Sequence, residues 1–416
     1  MDYSRINTIF ATKIVLTRYE YYYCQMRIVY IIDSLAQKGG AERIISEKMN
    51  YLATIYNYDV SVITCYQYLD SMPNTYPLSS KVKQINLSIR SYLQYKYPNP
   101  IRLWVRWKYY RQLRTELQEK INSINPDIVI GLGYTLADVV CLIKCRAAKI
   151  VESHEARIYT KKYYIFCEYS YLTNLYYRFL RKRYLHIIEK KADVIVTLTE
   201  DDAKNWQKAK RIETIPNFSI MPVTKLSNVE SKRVIAVGRL AWQKGYDRLI
   251  DIWKIVSKDH PDWQLDIFGE GNLEMELKKS IKNTRQNNIS IHPFTDHISQ
   301  EYANSSIFVL TSRFEGFSLV LLEALRHGVP CITFDCPYGP KHVVEHEKCG
   351  FVIENGNINQ FADRLSYLMD HPELRKQFAS IAINKAQSYQ VDVIMNQWKQ
   401  LFESIISQKQ SSSYGT

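Results

Sequence analysis

Long apolar runs are missing from this chain. No stretch approaches the ~18 consecutive apolar residues that a membrane-spanning helix requires. Cysteine pairs at metal or redox spacing are missing too. The eight cysteines form no C-x-x-C and no zinc-like set with histidine. They read as reduced, mostly buried thiols of a cytosolic protein. The first 25 residues lack the basic, apolar and small-residue order of a secretory signal. Neither G-x-G-x-x-G nor a Walker sequence occurs, since Gly269-Glu270-Gly271 is followed at position 274 by Glu. That removes the main support for a dinucleotide oxidoreductase or a P-loop nucleotidase.

Acidic residues are scarce in one half only. Residues 1–191 carry 29 Lys and Arg against 15 Asp and Glu, whereas residues 192–416 carry 26 against 27. The net charge of +13 therefore sits in the first half, most densely at residues 81–120, with 10 basic and 2 acidic side chains. Such a half is suited to an anionic partner: a membrane surface, a lipid-linked phosphate or nucleic acid.

What is present is a repeating α/β pattern. Short β-branched runs alternate with helical periodicity at 26–32, 58–65, 81–87, 127–133, 149–153 and 192–199. The pattern resumes at 233–238, 263–269, 289–294, 306–312 and 330–334. Near-continuous apolar strands separated by helices indicate parallel sheets covered on both faces. The expected fold class is α/β, with two Rossmann-like doubly wound domains. Residues 1–25 read as an N-terminal extension, because Met26-Arg27-Ile28-Val29-Tyr30-Ile31-Ile32 looks like a natural opening strand. The first domain is expected at 26–217, a linker at 218–231 and the second domain at 232–390. Helices are expected near 358–370 and 372–388. A further helix and tail at 391–416 would return to the first domain.

Ligands of open parallel sheets sit at the carboxyl ends of the strands. Three segments follow strands in the second half. In the first, Arg239 and Lys244 flank a turn, where they suit a diphosphate or are simply two solvated cations. In the second, Ser318 is a plausible helix start behind Gly316, a place where first-turn N–H groups meet phosphate. Glu315 and Glu323 stand eight residues apart on either side of that start. The third is Gly269-Glu270-Gly271-Asn272.

The order of these pieces resembles the family-4 retaining glycosyltransferases of the GT-B fold. The resemblance spans about Met26 to Tyr389. It rests on Gly39-Gly40-Ala41-Glu42-Arg43, Ser153-His154-Glu155, Ile215-Pro216-Asn217, VGRL…QKG at 237–245, FGEG at 268–271 and SRFEGFSLVLLEAL…HGVP at 312–330. The resemblance implies two domains facing a central cleft, with a nucleotide sugar, favoured as UDP-linked, as the donor. It implies no required cofactor and no metal. Arg239 and Lys244 would take the diphosphate, Glu315 the donor sugar and Glu323 the ribose. Gly316, Phe317, Ser318 and Leu319 would lie under the sugar and distal phosphate, with Gly269 and Phe294 flanking the base. Gly39 and Gly40 would meet a phosphate from the first domain, though a plain structural turn is equally open on spacing alone. His154 would face the donor sugar. Glu315, His154, Arg239 and Lys244 form the expected catalytic set.

Residues 98–114 place Ile101, Trp104, Trp107, Tyr110 and Leu113 at three-residue steps among Arg102, Arg106, Lys108, Arg111 and Arg114. This reads as a basic amphipathic helix with aromatic anchors, with Trp104, Arg106, Trp107 and Arg111 meeting membrane or acceptor. An ordinary helix docked on its own sheet is the alternative. A second aromatic-basic cluster runs from Lys161 to Lys191. The combined expectation is a cytoplasmic enzyme at the inner face of the membrane. It would extend a lipid-linked glycan in capsule, lipopolysaccharide or related polysaccharide assembly and would not bind nucleic acid. The rivals are a GT-B-fold nucleotide-sugar epimerase and a basic nucleic-acid-binding protein. His342 departs from the Glu usual at its place. His342-Val343-Val344-Glu345-His346 also spells an inverted zinc-peptidase motif, with flanks too short for it.

Overall fold

A computed structural model describes residues 26–67, 72–98, 101–133, 136–158, 171–284 and 286–413. The N-terminal extension and the first ten residues of the Lys161–Lys191 cluster lie outside the described residues.

Eleven apolar runs read from the sequence become strands, and two more join them. The first sheet holds β1 (Arg27–Ile32), β2 (Asp59–Thr64), β3 (Lys83–Asn86), β4 (Ile128–Leu132), β5 (Ala148–Ser153), β6 (Val194–Thr197) and β7 (Ile212–Thr214), in the order β3-β2-β1-β4-β5-β6-β7. The second holds β8 (Arg233–Val237), β9 (Gln264–Phe268), β10 (Ile289–His292), β11 (Ile307–Leu310), β12 (Cys331–Phe334) and β13 (Gly350–Ile353), in the order β10-β9-β8-β11-β12-β13. The pairings around β1, β4, β8 and β11 are parallel. The two orders share one plan, the doubly wound sheet in which the chain reverses direction beside its first strand.

β7 and β13 escaped the sequence reading. Ile212–Thr214 is three residues long and only half-buried, and Gly350–Ile353 opens on glycine. Neither offers a run long enough to register as a strand.

Both faces of the second sheet are covered, and the period-2 pleat does the sorting. Val234 and Ala236 point into one apolar cluster with Trp253, Leu265 and Ile267. Ile235 points into the other, with Phe308, Leu321 and Leu325. The first sheet is covered in part by Leu113, Leu117 and Ile121 of the helix Ile101–Ile124, packed with Val29, Ile31 and Val129.

The described chain divides into two compact units. One takes the residues up to Thr197, with Ala203–Glu213 and those from Gln397 onward. The other takes Leu198–Asp202 and Thr214–Asn396. The helix Val391–Ser413 thus runs from the second unit into the first. Six cysteines fall in the described residues. All are free, and all but Cys145 are buried.

Candidate active site

β8 and β11 are neighbours, with Val234 paired to Ile307 and Ile235 to Phe308. Their outgoing loops therefore lie side by side, although about seventy residues of chain separate them. The loop after β8 runs through Arg239 and a short 3-10 turn, Trp242–Lys244, to Gly245. The loop after β11 carries Ser312 to Phe317. Gln243 Nε2 donates to Phe314 O at 3.0 Å, and Arg313 N–H donates to Gln243 O at 2.7 Å. The Arg313 guanidinium donates to Trp242 O at 2.7 Å and grips the Asp247 carboxylate at 2.9 and 2.6 Å.

Gly245 is the hinge of this arrangement. Its φ of +66° is left-handed, and a Cβ there would stand 2.2 Å from Thr311 O. Gly245→Ala is therefore expected to cost at least ~1–3 kcal/mol in a denaturant titration. An unchanged midpoint would mean that the two loops yield freely.

The stitched loops bring together Lys244, Ser312 and Glu315. Glu315 is 6% exposed. Its Oε1 accepts from Lys244 Nζ at 2.8 Å and from Ser312 Oγ at 2.6 Å. Among the described residues its Oε2 takes no hydrogen bond. The backbone of Glu315 is fixed as well, its N–H donating to Pro337 O at 3.3 Å. Gly339 gives close passage, since a Cβ there would stand 2.9 Å from Glu315 Cβ.

Ser318 is the N-cap of the helix Leu319–Arg326, where the sequence placed a helix start. Its hydroxyl makes no capping bond. Ser318 Oγ is buried without a hydrogen-bond partner among the described residues. A buried hydroxyl left unpaired costs ~1–3 kcal/mol. An anion at this helix end would satisfy both the hydroxyl and the first-turn N–H groups. Gly316 is half-buried and Phe317 buried, with Phe317 packed on Tyr389 at 5.8 Å. Glu323 is buried one turn further on, its Oε2 accepting from Tyr302 OH at 3.2 Å. Arg239 is exposed and has no carboxylate partner among the described residues.

Gly269 packs backbone on backbone. A Cβ there would stand 2.0 Å from Gly238 O, and one on Gly271 2.3 Å from Leu240 O. Gly269 N–H donates to His292 O at 3.0 Å. That bond ties the loop to the end of β10, two residues before Phe294, which is half exposed.

His342 belongs to a different group. Its Nε2 stands 3.2 Å from Asp201 Oδ2, to which Lys341 Nζ also pairs at 2.8 Å. The helix around it spans only Pro340–Val343, so His342 and His346 share no helix face. Glu345 is taken by Lys385 at 2.8 Å.

In the first unit Gly40 opens the helix Gly40–Thr54 behind β1, and the Glu42 carboxylate folds back over Gly39, leaving no room for a Cβ. His154 follows β5. Its Nε2 stands 3.0 Å from Glu152 Oε2. Burial raises the neighbouring Glu155 carboxyl to about 7, with Arg181 opposing.

The basic helix differs in part from its sequence reading. Ile101, Trp104 and Trp107 are exposed, with Trp104 at 63% and Trp107 at 52%. Leu113 is buried, and the docked face is Val105, Leu113, Leu117 and Ile121. A three-residue step lags the 3.6-residue turn by about 60°, so the supposed single stripe winds from solvent into the core. Arg106 and Arg111 are exposed, and Arg111 lies over the Trp107 ring at 4.8 Å.

The sequence reading missed Ser312, Gln243, Arg313 and Tyr302. Ser312 ends an apolar strand run three residues before Glu315, and that position was its one signal. The others are recognisable only from the loop contacts.

Residues 220–385 match the family of group 1 glycosyl transferases. An uncharacterized glycosyltransferase of Haemophilus influenzae is 30% identical over 380 residues, spanning 90% of this chain and 99% of that protein. The amylovoran biosynthesis glycosyltransferase AmsD of Erwinia amylovora is 27% identical over 395 residues, again 90% of this chain and 99% of its own. A mutant of S. aureus TarM, crystallised with fondaparinux, α-GlcNAc-glycerol and UDP, superposes with a TM-score of 0.70 at 16% identity, covering 91% of this chain and 99% of TarM. That likeness is one of fold: two parallel-sheet α/β domains of the GT-B type.

Proposed function

The chain belongs to the group 1 glycosyltransferases, and from that membership we propose that it is a retaining enzyme using a UDP-linked hexose or N-acetylhexosamine. The acceptor in this reading is a lipid-linked glycan of a cell-surface polysaccharide, capsule or lipopolysaccharide among them. One observation carries it. A buried carboxylate, an ammonium and an unpartnered buried hydroxyl at a helix N-terminus stand together where β8 and β11 end.

Arg239, Lys244 and the helix end at Ser318 take the donor diphosphate, with Gly316 to Leu319 under the sugar. Glu315 accepts a sugar hydroxyl on Oε2, and Glu323 holds the ribose. Gly269 and Phe294 flank the base. In the same reading Gly39, Gly40 and His154 are donor contacts, as the family resemblance implies. The acceptor oxygen bonds to the sugar C1 on the face from which the diphosphate departs. The C1–O bond to the diphosphate breaks, and the acceptor's proton passes to the leaving phosphate oxygen. Charge grows on that phosphate, where the cations and the helix dipole act. The chemistry calls on no resident cofactor or metal.

The test is a panel of radiolabelled nucleotide sugars incubated with the protein and a membrane lipid extract. Label in lipid is the expected result. Free isomerised nucleotide sugar would replace this reading with an epimerase.

The acceptor side rests on the exposed Trp104, Arg106, Trp107 and Arg111, which suit peripheral contact with an anionic bilayer at the cytoplasmic face. No helix of the described residues is long and apolar enough to cross a membrane. Trp104→Ser combined with Trp107→Ser should weaken binding to phosphatidylglycerol vesicles by about tenfold or more, since moving a large apolar side chain out of water is worth about 1.5–3 kcal/mol. Equal binding in a flotation assay would return this helix to an ordinary surface role.

A further inference from the structure

Behind His154 stand three side chains that no motif singled out. Lys48 lies two turns into the helix Gly40–Thr54, and Glu152 lies on β5, 104 residues away. Their charged groups meet with side-chain exposures of only 2% and 3%. The carboxylate oxygen that takes the Lys48 ammonium, Oε2, also faces His154 Nε2 at 3.0 Å. The His154 side chain is itself 4% exposed. On its other side the ammonium rests on an aromatic face, 3.7 Å from the ring centroid of Trp398. Tyr30 lies further off, at 5.9 Å.

The chemistry of this line is restrictive. Burial pulls the Lys48 ammonium below the ordinary lysine value, with Glu152 opposing. Burial would raise the Glu152 carboxyl, but Lys48 and His154 outweigh it and hold it low. Glu152 is therefore a carboxylate, and a carboxylate only accepts. The His154 nitrogen that faces it must carry a hydrogen, so Nδ1 is the nitrogen left for a substrate. Lys48 is the second charge on the Glu152 carboxylate, and the Trp398 face stabilises that ammonium.

We propose that Lys48, Glu152 and Trp398 are positioning residues that hold His154 as the neutral Nε2–H tautomer, presenting Nδ1 as a hydrogen-bond acceptor for a hydroxyl rather than as a cation for a phosphate. The consequence for turnover rests on the reading of His154 given above; the tautomer does not. The C-terminal helix thereby supports a catalytic side chain through the Trp398–Lys48 contact.

The experiment is a long-range 15N–1H correlation spectrum of 15N-histidine-labelled protein at pH 7.5, with the His154 ring assigned from His154→Gln. Wild type should give the Nε2–H pattern. Lys48→Met should lose the pure Nε2–H pattern under the same conditions. The double variant Lys48→Met with Glu152→Gln leaves no buried charge, and so keeps the fold testable where the single variant fails to express. Its Gln amide can donate to Nε2 as well as accept from it, so the ring should no longer be held in the Nε2–H form alone. A wild-type ring already in the Nδ1–H or doubly protonated form, or a ring unchanged in both variants, would overturn the proposal. Transfer by the folded double variant should fall about 10- to 100-fold, mainly in kcat, as when a supporting hydrogen bond is lost. A switched tautomer with undiminished transfer would leave the ladder standing and remove His154 from the reaction.

Discussion

Glu315→Ala is expected to lower kcat/KM for transfer by about 10³-fold, while the protein stays folded. The reason is the place of Glu315 in the second unit. It is nearly buried and its Oε1 is committed to Lys244 and Ser312, so its orientation is fixed before any donor arrives. A fixed acceptor that meets the sugar as charge develops contributes on the order of 3–4 kcal/mol. Removing it also leaves the Lys244 ammonium, 16% exposed, without its carboxylate. A modest drop in melting temperature should accompany the kinetic loss. Glu315→Gln separates the two effects. It retains shape and a hydrogen-bonding oxygen, and should recover stability more than turnover. Full activity of Glu315→Ala in a nucleotide-release assay would take this residue out of the site.

Lys244→Met is the second large effect, with kcat expected to fall about 10²- to 10³-fold. Lys244 has two roles in the proposed cycle. Without donor it neutralises Glu315, and with donor it meets the departing diphosphate. The variant therefore leaves the Glu315 carboxylate, still held by Ser312, without its ammonium beside the incoming phosphates. Donor affinity should weaken along with kcat. Arg239→Ala is the contrasting case. Arg239 is exposed, so its loss should weaken donor binding with no change in melting temperature, and more visibly at low ionic strength. Isothermal titration with UDP separates the two variants. If both bind UDP like wild type, the diphosphate lies elsewhere.

Much of the second unit's candidate site was legible because its parts are local. Glu315, Gly316 and Ser318 lie within four residues of one another, directly after an apolar strand. Helix periodicity after Ser318 marks where unpaired N–H groups must be. The strands were legible wherever an apolar, β-branched-rich run reached about five residues, and were missed at Ile212–Thr214 and Gly350–Ile353, where it did not. The basic helix was legible as a helix. Its exposed face was only half right, because spacing was read at three residues and the helix turns in 3.6.

Lys48 shows the limit. In the sequence it is one of 55 basic residues. Its burial, its bond to Glu152 and its seat on Trp398 come from three segments more than a hundred residues apart. The same holds for Lys244 and Glu315, which meet because β8 and β11 are adjacent.

The sequence by itself determined the alternation of strand and helix, the separation of charge between the halves, and the identity of the residues that end each strand. These follow from how each short segment divides between core and water. Only the tertiary structure decided which strand ends stand together, which cation meets which carboxylate, and which indole faces solvent. Strand order is a long-range property, selected by how whole faces pack, and no local period of the chain encodes it.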